Sequence, residues 1–222
     1  MNIGLKTKEA NYRIIKIGSE NPKVWFHEIA EIHCSELKEG SLRNLGVDGL
    51  EIIYSKLVTI PKSGLWCAVE DGRVTGFISG CADIRQFYRA LFFKTVFQLA
   101  LISFSRILKT NSLGNLLKAL LYPFQSSQWI ETPAEFHDTN AELIAISVRK
   151  EFHHQGIGRK LVERLEAGFQ EWQVDRFYHV ATDARDPLSN AFYLGMGFEK
   201  YGVKKFTNFS LQIYEKKIYK PV

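Results

Sequence analysis

The sequence predicts an α/β fold, a mixed central β-sheet flanked by helices, and three stretches carry that prediction. Across residues 141–169 an apolar run passes through a glycine-bearing turn into helical spacing. Asp71-Gly72 sits between two apolar runs, the signature of a tight hairpin. Residues 176–198 repeat the strand-to-helix pattern and end in Gly197-Phe198. A chain of 222 residues suits one well-buried domain, and residues 1–222 are read as one.

Tyr12 to Ile17 alternates enough for a first strand, and Asn21-Pro22 opens a helix running to about Leu37. Phe26, Ile29, Ile32 and His33 share one face of it. A second helical stretch passes through Leu50, Ile52, Ile53 and Leu57 and ends before Pro61. Gly64–Glu70 and Val74–Gly80 are the strands joined by the Asp71-Gly72 turn.

Residues 83–128 form a helical insertion between the third and fourth strands. A long apolar helix is predicted from Gln86 to Leu108. After Thr110-Asn111-Ser112 a second follows, with Leu113, Leu116, Leu117, Leu120 and Leu121 on one face. The insertion carries Arg85, Arg89, Lys94, Arg106, Lys109 and Lys118 against Asp83 alone, a net +5 that equals the charge of the whole chain. Such a hairpin packs as core or at a homodimer interface, covers a substrate as a lid, or lies on a membrane surface; the pattern leaves these open. A spanning helix is not expected, because Ala90–Leu108 contains Lys94, Gln98 and Arg106.

The N-terminus lacks the apolar core of a signal peptide. Cys34, Cys67 and Cys81 lie in apolar runs without a Cys-x-x-Cys pair, so neither a disulfide framework nor a zinc site is expected and a reducing cytoplasm is. Basic residues interleaved with aliphatics make no nucleic-acid stripe.

The chemistry concentrates after Leu143-Ile144-Ala145-Ile146-Ser147-Val148, a strand rich in β-branched residues. From Gly156 onward Ile157, Leu161, Val162, Leu165 and Phe169 fall on one helical face. A strand that turns through glycine into a helix leaves backbone N–H groups free at the helix start, and with the helix dipole these hold phosphate. The P-loop pattern fails, because Gly158 is followed by Arg159-Lys160-Leu161; the dinucleotide fingerprint fails at Leu161.

What remains, Gly156-x-Gly158 behind a strand, resembles the acyl-CoA-binding motif of the GNAT (Gcn5-related) N-acetyltransferases, with His153 where that family usually has Arg or Gln. The segment Asp186-Pro187-Leu188-Ser189-Asn190-Ala191-Phe192-Tyr193, followed by Gly197-Phe198, resembles that family's second segment. The resemblance is sharp over residues 139–200 and architectural before them.

The resemblance implies the GNAT fold and acetyl-CoA (coenzyme A) as co-substrate, with no metal. It implies that Ile146, Ser147 and Val148 lie along the cofactor's arm. His153, His154, Gln155, Gly156, Ile157, Gly158 and Arg159 would meet its phosphates, and Asn190 would lie near it. A histidine is mostly neutral near pH 7, so His153 grips phosphate less well than arginine; Arg149, Arg159 or Lys160 could compensate. Asp186 is expected to cap its helix instead of touching phosphate.

Tyr193 is the implied general acid, since a phenol with a reference pKa of about 10 stays protonated at neutral pH. The resemblance also makes Glu142 the candidate base, acting through a water as carboxylates at this place in related enzymes do, and strict alternation puts Ile144 and Ile146 on its face. His137 and His179 are further candidates.

The function implied is N-acetylation of a primary amine by direct attack within a ternary complex, with no nucleophile placed for an acyl-enzyme. The acceptor stays open among an amino sugar on a nucleotide or lipid carrier, a protein N-terminus and a small polyamine-like molecule. A reading from another class is an acyl-CoA-binding sensor or regulatory domain that docks a partner or membrane through the insertion.

Overall fold

The computed structural model describes residues 12–37, 45–102, 128–133, 135, 137, 139–174, 176–206 and 209–219. Its strands are β1 (Arg13–Lys16), β2 (Ser63–Glu70), β3 (Arg73–Cys81), β4 (Gln128–Glu131), β5 (Glu142–Val148), β6 (Phe177–Asp183), β7 (Glu199–Lys205) and β8 (Ser210–Lys217). They form one sheet in the order β1-β2-β3-β5-β6-β8-β7-β4. Every neighbouring pair is antiparallel except β5 with β6. The helices are α1 (Lys23–Glu36), α2 (Gly46–Leu57), α3 (Ile84–Ile102), α4 (Ile157–Glu171) and α5 (Pro187–Gly195).

Period-two alternation splits the core into two layers. Phe77 and Cys81 of β3 face Phe26, Ile29, Leu50, Leu57, Phe87 and Leu91 from α1, α2 and α3. Ile78 points the other way and joins Leu143, Tyr178 and Tyr214 beneath Leu161, Leu165 and Phe169 of α4. Each such fully buried side chain contributes on the order of 1.5–3 kcal/mol. On the α4 side, the Glu166 carboxylate also accepts from the Tyr178 hydroxyl at 2.8 Å and pairs with Lys216 Nζ at 2.6 Å.

The hairpin turns on Asp71 and Gly72, with φ of 49° and 79°, the pair of left-handed residues a type I′ turn needs. α3 begins where the insertion was expected, and its first turns are core: Phe87 and Leu91 are buried and Lys94 Nζ donates to the Thr59 carbonyl at 3.1 Å. The second insertion helix, expected around residues 113–121, lies outside the described residues. β4 and the β7–β8 hairpin complete the sheet beyond what the sequence patterns delineate. Among the described residues no helix is long and apolar enough to cross a membrane.

One irregularity changes the expected facing of the central strand. Ser79 pairs with Ala145 but Gly80 pairs with Leu143, so Ile144 is an extra residue bulged out of β5. The slip reverses the alternation. Glu142 shares the α1–α2 face with Ala145 and Ser147, whereas Ile146 and Val148 pack toward α4. Ile146 therefore does not share the face of Glu142, contrary to strict alternation.

At the bulge a Cβ on Gly80 would stand 2.9 Å from the Glu142 carbonyl oxygen and 2.6 Å from Leu165 Cδ1. Gly80→Ala must therefore push β3 from β5, and a loss of about 1–3 kcal/mol is expected. Urea unfolding should show a lower midpoint at unchanged slope.

Candidate active site

β5 and β6 run side by side yet pair only at Glu142 with His179 and Leu143 with Val180. β5 stays paired with β3 as far as Val148. The β6-side edge of β5 beyond Leu143 is thus left without a strand partner among the described residues, and a wedge opens between the two strands. An extended chain entering it would meet free backbone donors and acceptors, as a peptide does at a sheet edge.

At the mouth of the wedge lies the turn between β5 and α4. Arg149 is turned toward β3 and α1: its Nε donates to the Val74 carbonyl at 3.0 Å and its guanidinium stands 3.6 Å from Glu31. A single 3-10 turn, Lys150–Phe152, follows. His153 folds back, its Nε2 donating to the Val148 carbonyl at 2.8 Å. His154 and Gly156 are left-handed, with φ of 60° and 78°. A Cβ on Gly156 would meet nothing within 4 Å, so it is this backbone angle, not space, that asks for glycine there.

Gly158 is glycine for the opposite reason. Its Cβ would lie 3.0 Å from Phe192 Cε2, so the first turn of α4 abuts α5 and the two sequence motifs meet in space. α4 has no side-chain cap, and the first of its amides to find a backbone acceptor is that of Lys160, bonded to Gly156 at 3.1 Å. The amides of residues 154–159 have no acceptor among the described residues. Bare donors at a helix start with a favourable dipole suit a diphosphate. Ile157 is 1% exposed and has only its amide to offer. Lys160 is held by Glu163 at 2.9 Å, while Arg159 beside it is exposed and without an ion pair among the described residues.

α5 carries the second motif. Asp186 caps it as expected, accepting from the Leu188 amide at 3.1 Å. Asn190 is bonded within its own turn and to β8. Its Nδ2 donates to the carbonyls of Asp183, Ala184 and Asp186, and its Oδ1 accepts from the Tyr214 hydroxyl at 2.8 Å. The side chain ties the β6–α5 turn to β8, and its amide group is fully occupied there. Tyr193 is 6% exposed, its ring packed on Phe192, Phe198 and Tyr214. Burial pushes its phenol above the ordinary range, with Asp186 adding to the effect, so it is protonated at neutral pH.

Tyr193 lies in the α4-side core, and Glu142 faces the opposite layer. The sheet therefore separates a phenol on one face from a carboxylate on the other. Burial pushes the Glu142 carboxyl up to about 7, against the opposing effect of Lys204. On that same side His179 and His137 both reach Glu215, at 3.0 and 2.7 Å. Glu215 and Lys204 had no signal in the sequence, because their partners come from distant strands. Among the described residues no group of three or more His, Cys, Asp or Glu is placed to hold a metal.

A sheet split between two parallel strands, with an uncapped helix start at the opening, offers an extended, phosphate-bearing ligand a place to bind. Residues 118–198 match the model of the acetyltransferase (GNAT) family, the family the two motifs resemble, and the fold is the GNAT fold. Three solved structures illustrate the likeness. A GNAT-family acetyltransferase of Streptococcus pneumoniae is 13% identical over 94% of this chain and 99% of its own, with a TM-score of 0.54. The PaiA N-acetyltransferase of Thermoplasma acidophilum, in complex with coenzyme A, is 13% identical over 94% and 99%, with a TM-score of 0.54. YncA of Salmonella typhimurium, with its cofactor acetyl-CoA, is 14% identical over 96% of each chain, with a TM-score of 0.56. The chain matches no curated protein sequence.

The raised pKa of Glu142 has a consequence for stability. The unfolded carboxyl ionises near the ordinary 4.5 while the folded one keeps its proton to about 7, so stability falls as pH rises through that window and levels off above it. Glu142→Gln should flatten the dependence and leave the variant the more stable protein at pH 8, as read from urea midpoints.

Proposed function

We propose that the protein is an acetyl-CoA-dependent N-acetyltransferase acting on a primary amine by direct attack in a ternary complex. The observation that carries this reading is the wedge between β5 and β6, with Tyr193 and Glu142 on opposite faces of the sheet and bare amides at its mouth. Bound acetyl-CoA supplies an activated acyl group on a thioester together with a diphosphate for the helix start. The amides of residues 154–159 hold that diphosphate, and Arg159 adds a free cation. The open edge of Ile146, Ser147 and Val148 pairs with the cofactor's arm.

Tyr193 holds a proton at its hydroxyl for the leaving sulfur, and burial keeps it there until sulfur charge develops. Glu142, with its carboxyl up at about 7, takes a proton from the incoming ammonium through a water. The catalytic arm is thus an acid and a base held apart by the sheet.

For the acceptor, the reading favours an amino sugar on a nucleotide or lipid carrier, on the strength of the basic insertion at 83–128. A cytoplasmic location is supported by the buried thiols of Cys67 and Cys81.

Thiol release from acetyl-CoA across a panel of amino sugars, nucleotide-linked amino sugars, polyamines and peptides tests this. Turnover with at least one amine is expected. Tyr193→Phe should cut kcat roughly a hundredfold or more while acetyl-CoA still binds by calorimetry. Silence across the whole panel in the unmodified protein sinks the enzymatic reading. A thermal shift with amino sugars but not their nucleotide-linked forms counts against the carrier.

A further inference from the structure

A row of polar groups crosses the sheet on the face opposite α4. His179 and Glu142 are cross-strand partners at the closed end of the wedge, and the His179 amide donates to the Ala141 carbonyl at 2.9 Å. Tyr178 and Val180 point into the α4 core, so His179 between them points to the Glu142 side. Opposite His179 on β8 is Glu215, whose Oε2 is 3.0 Å from His179 Nε2. The other carboxylate oxygen is 2.7 Å from His137 Nδ1. His137 is itself fixed: its ring stacks on Phe177 with centroids 4.1 Å apart, and its amide donates to the Tyr201 hydroxyl at 3.0 Å.

Two features set this row apart from an ordinary ion pair. A carboxylate accepting from Nε2–H of one imidazole and Nδ1–H of the other fixes both tautomers and leaves Nδ1 of His179 as its basic nitrogen. Side-chain exposure is 19% at His179, 10% at Glu215 in the middle of the row and 28% at His137. One end is at the wedge and the other is the most open to water.

Acetyl transfer to an amine needs a group that takes up a proton. The acceptor arrives as an ammonium and must lose one proton before its nitrogen has a lone pair. The N–C bond then forms as the C–S bond breaks. The sulfur leaves with the Tyr193 hydroxyl proton, and the second nitrogen proton makes Tyr193 whole again. One proton per turnover is left over.

Building on the acetyltransferase reading, we propose a relay in which Glu142 hands this proton to Nδ1 of His179, with Glu215 as the positioning residue of His179 and His137 bracing that carboxylate from the other side. The groups surrounding the row are Glu142 on β5, Lys204, Tyr201 and Glu199 on β7, Lys217 on β8, and Glu135 near His137. Burial lowers the His179 pKa and outweighs the raising effect of Glu215, so the imidazole is neutral and ready to accept near pH 7.

Two measurements test it. In the free protein, imidazole NMR titration should show the His179 midpoint falling in Glu215→Gln, because the carboxylate that raises it is gone. In turnover with the best amine of the panel, His179→Asn and Glu215→Gln should each lower kcat/KM roughly ten- to a hundredfold. The acid limb of the Glu215→Gln pH profile should move to lower pH, with acetyl-CoA affinity unchanged. Turnover with unaltered pH profiles in both variants overturns the relay and leaves the acetyltransferase reading standing. An unmodified protein that acetylates no amine removes both. A His179 midpoint that ignores Glu215→Gln overturns the relay by itself.

Discussion

The structure depends on a ladder of backbone hydrogen bonds that stops early. β5 and β6 pair at two positions and then part, while β5 keeps its full register with β3 on the other side. A parallel pair in mid-sheet is ordinarily continuous, because its unpaired N–H and C=O groups would otherwise be left without partners. Here the divergence is sustained by material on both sides. The α4 core grips Leu143, Tyr178 and Val180, and α5 with its Asn190 tie holds the end of β6 against β8.

The glycine-bearing turn and the bulge at Ile144 act together on this opening. Gly156 supplies a backbone angle and Gly158 supplies room for Phe192, so one motif is conformational and the other steric. The bulge then re-aims one residue, sending Glu142 to the face opposite Tyr193. A proton donor on α5 and a proton acceptor on β5 are kept from neutralising each other by a layer of backbone. Their environments differ in kind. Tyr193 is walled by aromatic rings, whereas Glu142 shares its face with Lys204 and His179.

Much of this was legible in the residues. The α1 and α2 helices, the Asp71-Gly72 hairpin, and the β5–α4 and β6–α5 units follow from apolar periodicity and from Pro, Gly and Asp at their ends. The bulge was not legible, because a run of Leu, Ile, Ala and Ile carries no mark of which residue will be extra. The bonds of Asn190 were not legible for a related reason: its partners are carbonyls of its own turn and the hydroxyl of Tyr214, a residue on β8. The row of His137, Glu215 and His179 spans 78 positions of sequence from first to last, and only the order β6-β8 brings it together. β4 was missed because four residues are too few to show a period.

The two margins of the sheet have a consequence of their own. Both outermost strands, β1 and β4, are four residues long, and the pairing of β4 with β7 slips between Trp129 and Glu131. A short, kinked rim is a poor template for another chain to extend. An eight-stranded sheet would otherwise offer a wide surface for fibrous stacking. The open edge of β5 lies in the interior of the sheet, between β3 and β6, and not at either margin.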